Sequence, residues 1–353
     1  MLRIHGELMV LILTFVATAP TGFAQGPGSM PRPAAPAKDS GRNTNANDTA
    51  PSTETVARGQ VAMADGSVPQ GLVQIFMIGA GAEKFIAVAD SKGRFSFNPG
   101  VLSANCAKGC ELRAVLEGYK SDAKPLADVS QTGSTKLGKI LLQPLSSDTN
   151  GLTSATTAQA SKGAKKAYEK GLDEAAKQAW AEAKASLVKA TSGYGDYSEA
   201  WLSLGILQQS EGDREGALKS FAESARADGK FAAPLIFIAA LDSLKGDWQA
   251  TVEHSQKALD LNPSAFPHAY ELNALGNLNL KKVDAVEKSA TEGLKIDTEH
   301  RYPELEYMLG VALSAKRETE AATKHLQAYL DQSPDGPNAA QAKKVLTELR
   351  ASH

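Results

Sequence analysis

The chain is poor in the residues that most often announce a chemistry. Two cysteines and six histidines in 353 residues leave little for a metal centre, and no two histidines stand at i, i+4 spacing. H-E-x-x-H, G-x-S-x-G and G-x-G-x-x-G are all missing, which removes the usual signatures of zinc proteases, serine hydrolases and dinucleotide binders. No run of Lys and Arg exceeds two, the net charge is −2 and the pI is about 6.3, so no basic field invites nucleic acid. The apolar run Leu8 to Ala19 is too short for a bilayer, which needs roughly 18 or more residues. One near miss remains, GSTKLGKI at 133–140. It fits Gly-x4-Gly-Lys, but Ile140 stands where a phosphate loop needs Ser or Thr, and strand-like ILLQPL follows where a helix must start. It reads as a hairpin turn. These absences argue against an enzyme and against any cofactor.

What is present begins with export. Arg3 precedes the apolar run, and small-x-small patterns fall at Ala17-Thr18-Ala19 and Gly22-Phe23-Ala24. Pro20 disfavours the first, so cleavage is expected after Ala24 and residues 1–24 are expected as a signal peptide, with no membrane span afterwards. The destination is periplasmic or secreted. Residues 25–55 hold five prolines and almost no core-forming side chains and read as a disordered linker. An oxidising destination permits disulfides. Cys106 and Cys110, in NCAKGCEL, are open to three readings: a disulfide staple, half a metal site, or a redox pair. A metal site lacks two further ligands nearby, and a redox pair prefers two intervening residues. The staple is the expectation.

From residue 56 to 144 the period is two. VARGQVAM, LVQIFMI, KFIAVAD, GRFSF, ELRAVLEGY and KLGKILLQPL are separated by the turn signals Ala64-Asp65-Gly66, Gly79-Ala80-Gly81 and Asp90-Ser91-Lys92-Gly93. Six or seven short strands suit a small all-β sandwich. The pattern carried by Gly59, Val61, Asp65, Gly66, Val73, Ile75, Asp90, Gly93, Phe95 and Phe97, with Gly118-Tyr119 further on, resembles the carboxypeptidase-regulatory-like domain. That resemblance implies a transthyretin-type Greek-key sandwich within a carbohydrate-binding-like fold group. A glycan site would need exposed aromatics, for which Tyr119 and Phe85 are the candidates.

Residues 145–161 are rich in Ser and Thr and read as a second linker. From 162 to 351 the period is helical. AYEKG at 167–171, AWLSLG at 200–205 and LIFIA at 235–239 recur every 34 residues, and Trp180 and Trp248 lie two such steps apart. With W-x2-L-G, small residues at Ala183 and Ala217, and closing prolines Pro263 and Pro334, this period resembles the tetratricopeptide repeat. Five units are expected, at 164–197, 198–231, 232–265, 266–302 and 303–336, with a capping helix over 338–350. The fold class is therefore multidomain, a Greek-key sandwich followed by an all-α solenoid. In the fourth unit Leu275-Gly276 and Val283-Asp284-Ala285 lie three residues closer than their counterparts in unit two, so its first helix is expected to start early, after Pro267, and end short.

In tetratricopeptide proteins the first helices line a concave groove. By that resemblance the groove positions here are Lys165, Tyr168, Leu172, Glu199, Leu202, Ile206, Gln209, Ile236, Tyr270, Asn273, Asn277, Glu304, Tyr307, Val311 and Ser314. Tyr168, Leu202, Ile206, Gln209, Tyr270, Asn273, Asn277 and Tyr307 are the candidate peptide contacts, Asn273 and Asn277 being one turn apart and able to hold a peptide backbone. The function expected is an exported, non-enzymatic interaction scaffold binding a peptide or partner protein. The alternative is a cell-envelope glycan-binding sandwich with the repeats as spacer.

Overall fold

The structure, a computed structural model, describes residues 56–79, 82–101, 106, 109–126 and 134–351. The expected signal peptide and first linker lie outside these residues. Eight strands come first: β1 (Val56–Met63), β2 (Gln74–Gly79), β3 (Ala82–Val88), β4 (Arg94–Phe97), β5 (Glu111–Val115), β6 (Tyr119–Ser121), β7 (Lys124–Pro125) and β8 (Ser134–Pro144). They form two four-stranded sheets, ordered β4-β1-β8-β6 (sheet I) and β3-β2-β5-β7 (sheet II). β1 and β8 run parallel, and the other pairs are antiparallel. Ala57, Val61, Phe95, Ile140 and Leu142 of sheet I and Ile75, Met77, Leu112 and Ala114 of sheet II share one apolar cluster.

Local chemistry explains the motif D-S-K-G-R. The Asp90 carboxylate accepts the N–H groups of Lys92 (2.9 Å) and Arg94 (2.8 Å), and Gly93 turns the chain at φ +74°. Phe95 then lies directly over Gly59, where a Cβ would overlap its ring. From Ser134 to Ile140, the described part of GSTKLGKI is not a turn. It lies within β8, and the β1–β8 register shifts at Arg58/Gly59, opposite Gly138 at φ +76°. Leu137 is the extra residue between the pairs Arg58–Lys136 and Gly59–Gly138, and a bulge absorbs it, so the segment stays extended.

Twelve helices follow among the described residues. After the one-turn α1 (Thr156–Gln159) they pair as α2 (Lys162–Ala176) with α3 (Trp180–Gly193), α4 (Ser198–Glu211) with α5 (Arg214–Ala227), α6 (Ala233–Lys245) with α7 (Trp248–Leu261), α8 (Pro267–Asn279) with α9 (Val283–Ile296), and α10 (Glu304–Ala315) with α11 (Thr319–Gln332); α12 (Ala339–Ala351) closes the stack. All five hairpins turn the same way. One left-handed residue, Gln178, Gly212, Gly246, Lys281 or Arg317, follows the first helix. The next N–H then bonds the carbonyl five residues back, as Asp213 does to Gln208 and Glu318 to Leu313. Glycines set the helix spacing: a Cβ on Gly171 would stand 2.9 Å from Leu187, and one on Gly310 would stand 2.7 Å from Leu326. In unit four Gly276 instead faces Val252 of the preceding α7. The register departure seen in the sequence therefore changes which helices meet. Stacked hairpins of this kind form a solenoid in which each unit buries its apolar stripe on the next.

The stretch 145–161 joins the two parts as an ordered strap, not a loose spacer. Leu145 donates to Gly118 O (3.0 Å) in the β-domain. Asn262 Nδ2 then donates to the carbonyls of Asp148 (2.7 Å) and Asn150 (3.1 Å), and the Asp228 carboxylate accepts from Ser154 Oγ and the Ala155 N–H. Leu152 is buried between Gly118 and the solenoid. The Ser/Thr-rich composition that suggested a linker supplies these capping hydroxyls.

Candidate functional site

The strap holds the β-domain against the face made by the first helices. Leu72, Val88 and Phe85 join the apolar cluster of Tyr168, Leu172, Leu202, Ile206 and Ile238, while the sandwiched side of sheet II is continuous with Ile236, Phe266, Ala269 and Leu272. The Ser91 N–H donates to Asp173 Oδ1 at 3.0 Å. Of the expected groove residues, Tyr168, Leu202 and Ile206 are therefore buried, and what covers them is the chain's own β-domain. Gln209, at the end of α4, is half-buried. Tyr307 is buried inside the stack, its ring 5.4 Å from Tyr329.

The rim of this contact is ionic. Glu117 lies 3.0 Å from His268 Nδ1, with both side chains nearly inaccessible. Burial works against charge on each, and the pair overcomes it: the His268 pKa is raised and the Glu117 pKa lowered. Around them stand Glu271, which burial among Glu304, Asp297 and Glu117 pushes up to about 7, and Arg301, whose guanidinium lies 5.7 Å over the Tyr302 ring. Arg301 Nε and Nη2, Arg113 Nε and Glu199 Oε2 are buried without a hydrogen-bond partner. Glu199 is 2% exposed, and burial pushes its carboxyl up to about 7.

The remaining candidates meet elsewhere. Tyr270, Asn273 and Asn277 line an open cleft of about 580 Å³, walled by α7 (Val252, Gln256, Leu259, Asp260), by Pro263 and by α9 with its leading Lys282 (Ala285, Lys288, Ser289, Glu292). Its floor is a ladder of amides. Asn277 Nδ2 donates to Asn273 Oδ1 (2.8 Å), Ser289 Oγ donates to the same oxygen (2.8 Å), and Asn273 Nδ2 donates to Ser255 Oγ (3.1 Å). Asn273 is thereby consumed by the fold, whereas Asn277, whose Nδ2 is held by Asn273, lines the cleft. In units one to three the equivalent bridge is direct, Ser186 to Glu174 (2.6 Å), Ser220 to Gln208 (2.6 Å) and His254 to Asp242 (2.8 Å). His254 and His325 both pair with carboxylates across their hairpins, His325 with Glu306 at 2.6 Å; neither sits on a merely solvated face.

The aromatic platforms expected for glycan are not available. Tyr119 is 5% exposed, and Phe85 meets Phe76 edge-on at 5.8 Å and packs on the solenoid cluster. Cys106 and Cys110 are joined as a disulfide. No group of acidic, His or Cys side chains that could hold a metal ion occurs among the described residues, nor any helix long and apolar enough to cross a membrane. The sequence reading missed the docking of the β-domain. Its signal was Ile75–Ile78, four successive apolar residues within β2 where a sandwich strand with one wet face would alternate.

No protein-family model matches the chain, and no curated protein matches it. Among solved structures, the chain is similar to YrrB, described as "a TPR protein with an unusual peptide-binding site", at 18% identity over 50% of this chain and 90% of that one, with a TM-score of 0.44. It is similar to MamA 41-end from Desulfovibrio magneticus RS-1 at 15% identity, over 50% and 98%, TM-score 0.43. It is also similar to PilF of Pseudomonas aeruginosa at 14%, over 53% and 89%, TM-score 0.44. The solenoid itself is established by the five hairpins and their repeated turn.

Proposed function

We propose that the chain is an exported, non-catalytic protein-interaction scaffold that holds an extended peptide segment of a partner in the cleft over Tyr270, Asn273 and Asn277. The observation that carries this reading is the Asn277 side chain. It is 4% exposed, its Nδ2 is fixed by Asn273, and it lines an open cleft with an apolar wall. A peptide N–H bonds such a group while an apolar side chain rests on Val252 and Leu259. The β-domain is read as a carboxypeptidase-regulatory-like Greek-key sandwich, on Gly59, the Asp90–Phe97 motif and the two four-stranded sheets. Export rests on the Leu8–Ala19 run with cleavage after Ala24, and the Cys106–Cys110 disulfide is in keeping with an oxidising compartment. An array of ten-residue peptides probed with the labelled chain tests the reading. Bound peptides should be lost at least tenfold on Asn277→Leu and keep binding after Lys245→Ala, a change outside the cleft. An array with no bound peptide, or binding indifferent to Asn277, would overturn it.

A further inference from the structure

Six described buried side-chain atoms lack a hydrogen-bond partner, and three of them belong to the seam between the β-domain and the helices: Arg113 Nε and Arg301 Nε and Nη2. A contact optimised only for permanence would pair these groups or replace them with apolar ones. The same seam contains a separable apolar match. Phe85 and Val88 of sheet II, with Leu72 just before it, share an apolar cluster with Tyr168, Leu172, Leu202 and Ile206, and Glu117 meets His268 at the edge. The covalent connection between the two bodies is short, and within it the Asp148 N–H donates to Ser146 Oγ (3.0 Å). Between Leu145, bonded to the β-domain, and Asp148, bonded to α7's Asn262 segment, only Ser146 and Ser147 intervene.

We infer that the first-helix face of units one to three is a second protein-binding surface, which the β-domain covers reversibly by swinging about Ser146–Ser147. The partner it fits is a protein presenting an extended apolar segment flanked by carboxylates, because that is the chemistry of the surface it must replace. The apolar side chains take the places of Leu72, Phe85 and Val88 on Leu172, Leu202 and Ile206, and a carboxylate takes the place of Glu117 beside His268. Tyr168, Leu202 and Ile206 then act as a binding face only when the β-domain has left it. The inference is independent of the cleft in unit four.

The probe is a fluorescein-labelled peptide copying residues 72–88 of this chain, which carries Leu72, Glu83, Phe85 and Val88, read by anisotropy against the full chain. Leu72→Asp places a charge in the apolar match, and His268→Glu sets a second carboxylate against Glu117. Either variant should enlarge the radius of gyration in solution scattering with helix content retained, and should bind the peptide at least tenfold more tightly than the unaltered chain. Adding Ile206→Asp should abolish that gain. Two results overturn the inference. One is an opened variant that takes up no peptide, including one that self-associates instead. The other is a pair of folded variants whose radius stays at the closed value.

Discussion

Sheets I and II are built from the same kinds of residue and end in different surroundings. In sheet I, β4 runs exposed, buried, exposed, buried, and Lys136 and Lys139 of β8 are open to solvent. In sheet II the first four residues of β2 are all buried. One face lies on sheet I and the other on the helices. A strand with two dry faces cannot carry an alternating pattern, and QIFMIG does not. Periodicity thus reports how many faces of a strand are covered as well as that it is a strand.

The comparison breaks most sharply at Phe76, on the solenoid side of β2 and 4% exposed. Phe76→Ala should lower the unfolding free energy by about 3–5 kcal/mol, whereas Lys139→Ala, on the open side of sheet I, should change it by less than about 0.5 kcal/mol. Urea denaturation of both variants checks this, and equal losses would mean that sheet II is not the buried partner.

The next effect is a pH dependence. The folded state holds the Glu199 proton up to about pH 7 and Glu271 behaves alike, while an unfolded glutamate releases it near 4.5. Stability therefore falls as pH rises from about 4.5 to 7, by about 3 kcal/mol at most for Glu199. His268, whose pKa is raised, adds to the same fall above 6.5; Glu117, whose pKa is lowered, contributes the opposite loss only under acid conditions. Glu199→Gln should flatten the melting temperature profile between pH 5 and 7, and an unchanged slope would count against a buried ionisable group there.

Smaller again is Gly118→Ala. Gly118 has φ +82° and its missing Cβ leaves room for Leu152 and Phe266, so the change should cost about 1–3 kcal/mol and lower the melting temperature. The mildest change lies outside both sheets. Arg317 holds φ +66° in the last hairpin turn where Gly212 and Gly246 serve elsewhere. Arg317→Gly should raise stability by up to about 1 kcal/mol, measured by the same denaturation.

Much of the architecture was legible in the sequence, and the reasons are local. Each helix pair announces itself through its own apolar stripe, Pro267 starts α8 as its fixed φ allows, and the D-S-K-G-R turn needs only its own side chains. Three of five hairpin turns were harder to see because Gln178, Lys281 and Arg317 adopt a glycine-like conformation. The site was less legible for a different reason. Tyr168, Leu202 and Ile206 lie on first helices beneath the β-domain, and no pattern within a helix says what will cover that face. Asn273 and Asn277 looked like a matched pair; which of them the fold would use depended on Ser255 and Ser289, from two other helices.

The two-residue stretch Ser146–Ser147 has a quantitative consequence. Two residues reach roughly 7 Å when fully extended, so a released β-domain remains beside its seat at an effective concentration in the millimolar range or above. A free competitor at micromolar levels faces a handicap of at least about a thousandfold before it gains the surface. Any partner that succeeds must therefore bind very tightly, arrive already concentrated, or act first on the domain that it displaces.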